Sequence, residues 1–145
     1  MSKLINEMLN MEKTHTISDI DGAKPVILLA EDNEANIETF SSYLSAFGYE
    51  IIIANNGKEA IEIATTATID LILMDIQMPI MDGFEAILTL RKEPKLDRVP
   101  IVALTALALV GDRERCLAAG ANKYLSKPVK MKLLVTTIRE LLGQI

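Results

Sequence analysis

The chain has 145 residues, half of them hydrophobic but only 4% aromatic, so we expect about one domain with an aliphatic core. The formal net charge of −5 argues against nucleic acid as a partner, because phosphate binding needs clustered Lys and Arg. No apolar stretch reaches the roughly 20 residues needed to cross a bilayer, and the single cysteine, Cys116, excludes an internal disulfide.

Residues 1–24 form a polar leader that contains His15, the only histidine of the chain. Leu4, Met8 and Met11 recur at helical spacing, which is compatible with a short amphipathic helix. The leader is then either frayed or loosely docked, or it serves partner docking or dimerisation. Because the first residues contain no continuous apolar core of the signal-peptide type, we expect a cytoplasmic protein without membrane insertion.

Strand-like and helix-like patterns alternate from residue 26 onward. The predicted strands are residues 26–30, 50–54, 70–74, 101–104 and 123–126. The predicted helices are residues 34–47, 58–66, 84–92, 112–119 and 130–142; Pro94 ends the third, and Gly120 provides a left-handed cap for the fourth. Five strands, each followed by a helix, predict an α/β fold: a doubly wound, five-stranded parallel sheet with five helices in a three-layer sandwich.

Chemically active residues follow the predicted strands at the point where each strand ends. Asp75 follows the third strand, Glu31 and Asp32 follow the first, Thr105 follows the fourth, and Lys127 follows the last. Because open parallel sheets bind ligands at the carboxyl ends of their strands, we expect these side chains to meet at one edge.

Three carboxylates in a partly desolvated cleft repel one another, and a divalent cation such as Mg²⁺ relieves that repulsion. The Lys127 ammonium suits a phosphoryl oxygen, and the Thr105 hydroxyl and the Ala106 backbone N–H add hydrogen-bond donors. Asp75 is then the candidate nucleophile, since a carboxylate can accept a phosphoryl group as an acyl phosphate.

Four segments resemble the receiver domain of two-component response regulators, in matching order and separation: LAEDN at 29–33, DIQMPIMDG at 75–83, LTA at 104–106 and GANKYLSKP at 120–128. The resemblance covers residues 25–145, which we therefore predict to be one receiver domain after the 1–24 leader. It implies a flavodoxin-like fold and the function of a phosphoacceptor switch, which catalyses only its own phosphorylation and dephosphorylation.

The resemblance also implies residue roles. Asp75 would be the phosphoacceptor, and Thr105 with Tyr124 would form the switch. Mg²⁺, or alternatively Mn²⁺, would be held by Glu31, Asp32, Asp75 and the backbone carbonyl of Gln77. The phosphoryl group would be bound by Thr105, Lys127 and the backbone N–H of Ala106.

The implied phosphodonor is a histidine kinase or a histidine phosphotransfer protein, and no downstream partner is identified. The region of Asn33 and Asn36, together with the segment QMP at 77–79, makes the chain resemble most the receivers of hybrid sensor histidine kinases. The resemblance further suggests a cis peptide between Lys127 and Pro128. Asp82 and Gly83 are expected to form the turn after the loop that follows Asp75, with Gly83 in a backbone conformation that larger residues avoid. The last two helices are candidate homodimer surfaces.

Three other functions compete with this one. A haloacid dehalogenase-like phosphatase needs a second acid two positions after its nucleophile, where this chain has Gln77. A flavodoxin-like cofactor carrier needs a phosphate-binding loop after Ala30, where Glu31 and Asp32 stand instead. A purely scaffolding receiver is disfavoured because every acceptor and sensor position is filled.

Leu107 is apolar and cannot orient a hydrolytic water, so we expect slow loss of the phosphoryl group.

Overall fold

A computed structural model describes residues 23–106 and 109–145. Its strands are β1 (Val26–Ala30), β2 (Glu50–Ala54), β3 (Leu71–Asp75), β4 (Ile101–Thr105) and β5 (Lys123–Ser126). Its α-helices are α1 (Glu34–Ala46), α2 (Gly57–Thr66), α3 (Gly83–Leu90), α4 (Asp112–Ala119) and α5 (Met131–Leu141), with a short 3-10 helix at Pro94–Leu96. Within these described ranges, no helix is long and apolar enough to cross a membrane.

The strands form one parallel sheet in the order β2-β1-β3-β4-β5. Asp75 is paired with Leu104, and Thr105 is paired with Ser126. The carboxyl ends of β3, β4 and β5 are therefore level with one another. The predicted α/β fold, with its five parallel strands and five α-helices among the described residues, is confirmed.

The central strands are buried on both faces, as parallel strands covered by helices should be. Every residue of β3 and β4 is buried. Alternate side chains supply two core clusters: residues such as Ile72 and Met74 pack with α2, α3 and α4, whereas Leu71 and Leu73 pack with α1 and α5. This packing fixes the strand ends that carry the candidate site.

The N-terminal ends of three helices are capped at the same edge of the sheet. The side chains of Asn33, Asn56 and Asp82 accept hydrogen bonds from backbone N–H groups in the first turns of α1, α2 and α3. Asp82, expected only as a turn residue, thus has a defined capping role. Helix N-termini carry partial positive charge, so this edge favours anions.

The structure differs from the predicted boundaries at β3 and α3, and by one residue at an end of α1, α2 and β4 and at both ends of α5. The third strand is shifted by one residue to Leu71–Asp75, because Asp75 pairs with Leu104 and extends the parallel ladder. Helix α3 ends at Leu90, before the predicted residue 92, and Pro94 begins the 3-10 helix rather than only ending α3.

Two sequence expectations lie outside the described residues. These are the amphipathic leader helix, with His15, and the effect of Leu107 on phosphoryl loss.

Candidate functional site

The carboxylates of Glu31 and Asp75 meet the ammonium group of Lys127 at the carboxyl edge of the sheet. Lys127 Nζ lies 2.6 Å from Glu31 Oε1 and 3.1 Å from Asp75 Oδ2. Strand β1 presents Glu31, the last residue of β3 is Asp75, and Lys127 follows β5. The structure therefore brings together three residues that are distant in sequence, as expected from the strand ends.

Backbone and side-chain donors surround the buried Glu31 carboxylate. Its Oε2 accepts from the backbone N–H groups of Asp32 (3.1 Å) and Asn33 (3.4 Å). Its Oε1 accepts from Asn36 Nδ2 (3.2 Å) as well as from Lys127. Glu31 is thus held in place by the two residues before α1, Asp32 and Asn33, and by Asn36 in its first turn.

Asp75 is also buried, and each of its carboxylate oxygens accepts a hydrogen bond. Oδ1 accepts from the backbone N–H of Gln77 at 2.9 Å, and Oδ2 accepts from Lys127. The backbone carbonyl of Gln77, predicted as a metal ligand, belongs to the same short segment after β3. The Gln77 side chain itself is exposed.

Gly83 is required by close packing, and the expectation of an unusual backbone conformation there is wrong. Gly83 is the first residue of α3 and is not among the glycines with positive φ. A Cβ at this position would lie 2.6 Å from the carbonyl oxygen of Asp75 and 2.6 Å from Ile76 Cα. The absent side chain lets α3 begin directly against the end of β3.

The expected cis peptide between Lys127 and Pro128 is present.

Burial and mutual contact shift the pKa values of these three groups. Burial, with hydrogen bonding to Glu31, raises the pKa of Asp75 to about 6. Burial also acts to raise the pKa of Glu31, but hydrogen bonds with Asp75 and Lys127 outweigh it and lower that pKa. Burial opposes charge on Lys127, yet its bonds to Glu31 and its attraction to Asp75 raise its pKa. Lys127 therefore stays charged, whereas the surroundings of Asp75 disfavour its charged form.

The chemistry of the donor set fits a hard divalent cation. Glu31, Asp32 and Asp75 each offer a carboxylate oxygen within 4.8 Å of the others, as searched over the described residues. Two of the carboxylates are buried, while Asp32 is exposed at the mouth of the cluster. One ammonium group leaves this cluster with net negative charge, which Mg²⁺ would neutralise with oxygen ligands.

Thr105 lies on β4, and Tyr124 lies on the neighbouring edge strand, β5. Thr105 is buried, and its carbonyl oxygen accepts from the Lys127 backbone N–H at 2.7 Å. Ala106, the predicted phosphoryl-binding N–H donor, follows it and is exposed. Tyr124 is partly exposed, packs against the core cluster that contains Cys116, and has its pKa raised by burial. The switching roles of Thr105 and Tyr124 stay predictions.

Two features of the site were not predicted from the sequence. The side chain of Asn36 contacts Glu31, whereas the sequence marks Asn36 only through the family resemblance. A cleft of about 290 Å³ lies beside the acidic cluster, with Gln77, Thr105 and Leu109 in its lining. Arg115 borders this cleft and stacks over the Phe84 ring at 3.7 Å. No local sequence signal marks such contacts between separate helices.

Comparison with known proteins agrees with this geometry. Residues 27–139 match the family model of the response regulator receiver domain. The polar-differentiation response regulator DivK of Brucella anthropi is 40% identical over 117 residues, which are 81% of this chain and 95% of that protein.

Solved structures show the same relationship. The receiver domain of the sensor histidine kinase PA1611 from Pseudomonas aeruginosa, solved with magnesium in its active-site cleft, is 41% identical with a TM-score of 0.78, covering 83% of this chain and 99% of that one. The receiver domain of Ssk1 from Saccharomyces cerevisiae, crystallised with the histidine phosphotransfer protein Ypd1, is 34% identical with a TM-score of 0.76, covering 83% and 90%.

The family match spans most of the chain, and the acidic cluster and the lysine stand at the strand ends where the sequence places them. The chain therefore belongs to the response regulator receiver domains, the phosphoacceptor modules of two-component signalling, and is not a conventional enzyme.

Proposed function

We propose that Asp75 is the residue that accepts the phosphoryl group, and that the donor is the phosphohistidine of a histidine kinase or of a histidine phosphotransfer protein. The observation that carries this assignment is the contact of Asp75 Oδ2 with Lys127 Nζ at 3.1 Å inside a buried acidic cluster. A buried carboxylate beside an ammonium group is poised to attack phosphorus while the ammonium binds the phosphoryl oxygens.

The transfer conserves atoms and electrons. A lone pair of an Asp75 carboxylate oxygen forms the new P–O bond, and the P–N bond of the donor breaks as its electron pair returns to the imidazole. The Gln77 N–H holds Oδ1, which leaves Oδ2 beside Lys127. Lys127, the Thr105 hydroxyl and the Ala106 N–H then donate to the phosphoryl oxygens.

Glu31, Asp32, Asp75 and the Gln77 carbonyl are the residues that would hold Mg²⁺, or Mn²⁺, which supplies charge neutralisation for the phosphoryl oxygens. The chain's own residues supply the rest: Asp75 provides the nucleophile, and Lys127 provides a fixed positive charge. The same set also supports self-catalysed dephosphorylation, in which water attacks phosphorus and the Asp75 carboxylate is released.

The phosphorylation signal reaches a partner surface through Thr105 and Tyr124 in this proposal. The added charge draws the Thr105 hydroxyl toward the acyl phosphate, and Tyr124 and α4 repack in response. Helix α4 suits movement because a glycine with positive φ flanks each of its ends, Gly111 (88°) and Gly120 (122°). Among its described residues, Cys116 and Ala119 are the buried ones.

Residues 1–24 act as a leader to a receiver domain of residues 25–145, in the cytoplasm, without nucleic acid as a partner. The net charge of −5 supports the last point. Helices α4 and α5 are the proposed homodimer surface, where Leu117 and Leu133 are 36% and 49% exposed.

The test is phosphorylation by acetyl phosphate in the presence of Mg²⁺, followed by intact-protein mass. We expect the protein to gain one phosphoryl group, and the Asp75→Asn variant to gain none. Asp97→Asn is the matched control, because Asp97 is exposed and precedes β4 at the other edge of the sheet. Phosphorylation that persists in Asp75→Asn would remove the assignment.

A further inference from the structure

The side chain of Asn36 shares an acceptor atom with Lys127. Glu31 Oε1 accepts from Asn36 Nδ2 at 3.2 Å and from Lys127 Nζ at 2.6 Å. A carboxylate oxygen accepts two such bonds readily, so the two donors occupy the capacity of Oε1 together. Because Glu31 is 1% exposed, there is little room for water to replace a lost donor.

Lys127 has a second task that Asn36 does not share. Its ammonium also contacts Asp75, and phosphorylation turns that carboxylate into a group with more acceptor oxygens and more negative charge. As the ammonium follows those oxygens, its bond to Glu31 weakens. A buried carboxylate oxygen that loses its donor carries a desolvation penalty, unless another donor stays in place.

We propose that Asn36 is a positioning residue for phosphoryl transfer, which holds Glu31 Oε1 so that Lys127 is released from Glu31 toward the phosphoryl group. This inference rests on the proposed function of Asp75. Asn36 suits the task because it is fixed in the first turn of α1, where its own backbone N–H donates to Asn33 Oδ1 at 3.0 Å. Its amide group therefore stays against Glu31 when Lys127 moves.

The role belongs to the side-chain amide and not to the helix turn. Substitution of Asn36 leaves the backbone N–H and its bond to Asn33 intact. Asn36→Ala removes the donor, and Asn36→Asp keeps the size of the side chain but sets a negative charge against Glu31. A merely structural Asn36 would affect stability in both variants without changing the phosphorylation rate selectively.

The first experiment measures phosphorylation by acetyl phosphate over a range of Mg²⁺ concentrations. We expect Asn36→Ala to lower the maximal rate about tenfold, as loss of a hydrogen bond to a charged group in the transition state would. The Mg²⁺ concentration for half-maximal rate should change by less than about twofold, because Lys127 still holds Glu31 before transfer. Asn36→Asp should lose more of the maximal rate.

Asn56→Ala is the control, since Asn56 caps α2 through the same kind of side chain. It should lower the melting temperature by about 3 °C and leave the phosphorylation rate unchanged.

The second experiment measures melting temperatures with the metal chelated and needs no phosphorylation. In the wild-type background, Asn36→Ala leaves Lys127 on Glu31 Oε1. In the Lys127→Met background, the same change removes the Asn36 amide donor from an oxygen that has already lost the ammonium group. We expect Asn36→Ala to lower the melting temperature by about 3 °C more in the Lys127→Met background than in the wild type, so that the effects of the two substitutions are not additive.

The outcomes separate this inference from the proposed function. An unchanged maximal rate in both Asn36 variants, or melting temperatures that add, would overturn it. So would a rise in the half-maximal Mg²⁺ concentration that accounts for the whole loss of rate. Asp75→Asn is run in parallel: if it is still phosphorylated, the assignment of Asp75 fails and the inference fails with it.

Discussion

At the scale of single residues, the site is a balance between buried carboxylates and one partly buried ammonium group. Asp75 is 3% exposed and Glu31 is 1% exposed, and Lys127 contacts both. One positive charge does not offset the charges of Glu31, Asp32 and Asp75, so the metal-free protein holds unfavourable electrostatic energy at this edge. We therefore expect the acidic cluster to lower the stability of the metal-free protein.

Asp75→Asn should raise the stability of the metal-free protein. The amide removes one charge from the cluster, and we expect the free energy of unfolding to increase by about 1–2 kcal/mol. The measurement is urea denaturation at pH 7.5 with a chelator. Added Mg²⁺ should stabilise the wild type and have little effect on Asp75→Asn; a variant less stable than the wild type without metal would contradict this account.

Ile80 is a second residue that we expect to lower stability, because its backbone conformation is unfavourable. Its φ of 71° lies in the left-handed region, which costs a β-branched residue about 1–2 kcal/mol, and its side chain is 79% exposed. Asn tolerates this conformation, so Ile80→Asn should stabilise the protein by about 1 kcal/mol in urea denaturation. Val110→Asn, at an exposed residue without positive φ, should change stability by less than about 0.5 kcal/mol. Loss of stability in Ile80→Asn would show that the loop depends on isoleucine.

At the scale of elements, Arg91 joins segments at the edge of the sheet away from the acidic cluster. From the end of α3, its guanidinium donates to the carbonyl oxygens of Leu96 (2.7 Å) and Gly120 (2.9 Å) and to Asn122 Oδ1 (2.9 Å). Asn122 Oδ1 also accepts from the backbone N–H of Ile101, the first residue of β4. One planar side chain thus links α3, the 3-10 helix, the end of α4 and the approach to β5.

Arg91→Lys should be destabilising although it conserves charge. An ammonium group does not reach three acceptors spread in the plane of a guanidinium, so carbonyl groups lose their partners, and we expect a loss of about 1.5–3 kcal/mol. Arg98→Lys is the matched control at an exposed position and should change stability by less than about 0.5 kcal/mol. Equal effects of the two substitutions in urea denaturation would mean that the network carries no stability.

At the scale of the whole molecule, helices pack on both faces of a single sheet. Both core clusters, as seen among the described residues, are built from residues 26–142, on the two faces of the same sheet. Strands β1 and β3 contribute to both clusters, since their side chains alternate between the faces. Loss of packing on one face therefore disturbs the other.

A chain of residues 25–145 should fold without the leader. We expect one cooperative urea transition, with a dependence on urea of about 1–3 kcal/mol per molar, because each strand of the sheet is retained. The shortened chain should also be phosphorylated by acetyl phosphate, since Asp75, Lys127 and the acidic pair are present. A transition that separates into steps, or lost phosphorylation beside an active full chain, would show that the leader belongs to the domain.

Much of this fold could be predicted because its signals are local. Continuous apolar runs such as that ending at Asp75 mark strands buried on both faces. The alternation of these runs with helical patterns indicates that the strands are parallel. The end of α3 is different: the helix stops at Leu90, and its C-cap residue Arg91 contacts Leu96 and Gly120, which no pattern within the helix reports.

The sequence by itself determined the succession of strands and helices along the chain and which residues stand at or beside the strand ends, since hydrophobic periodicity and residue type are properties of neighbouring positions. The tertiary structure alone decided that Lys127 contacts both Glu31 and Asp75, that Asn36 shares Glu31 with it, and that Gly83 leaves room for the carbonyl of Asp75. These contacts join residues as far as 96 positions apart. Their distances follow from strand register and helix packing, which are set only when the whole core assembles.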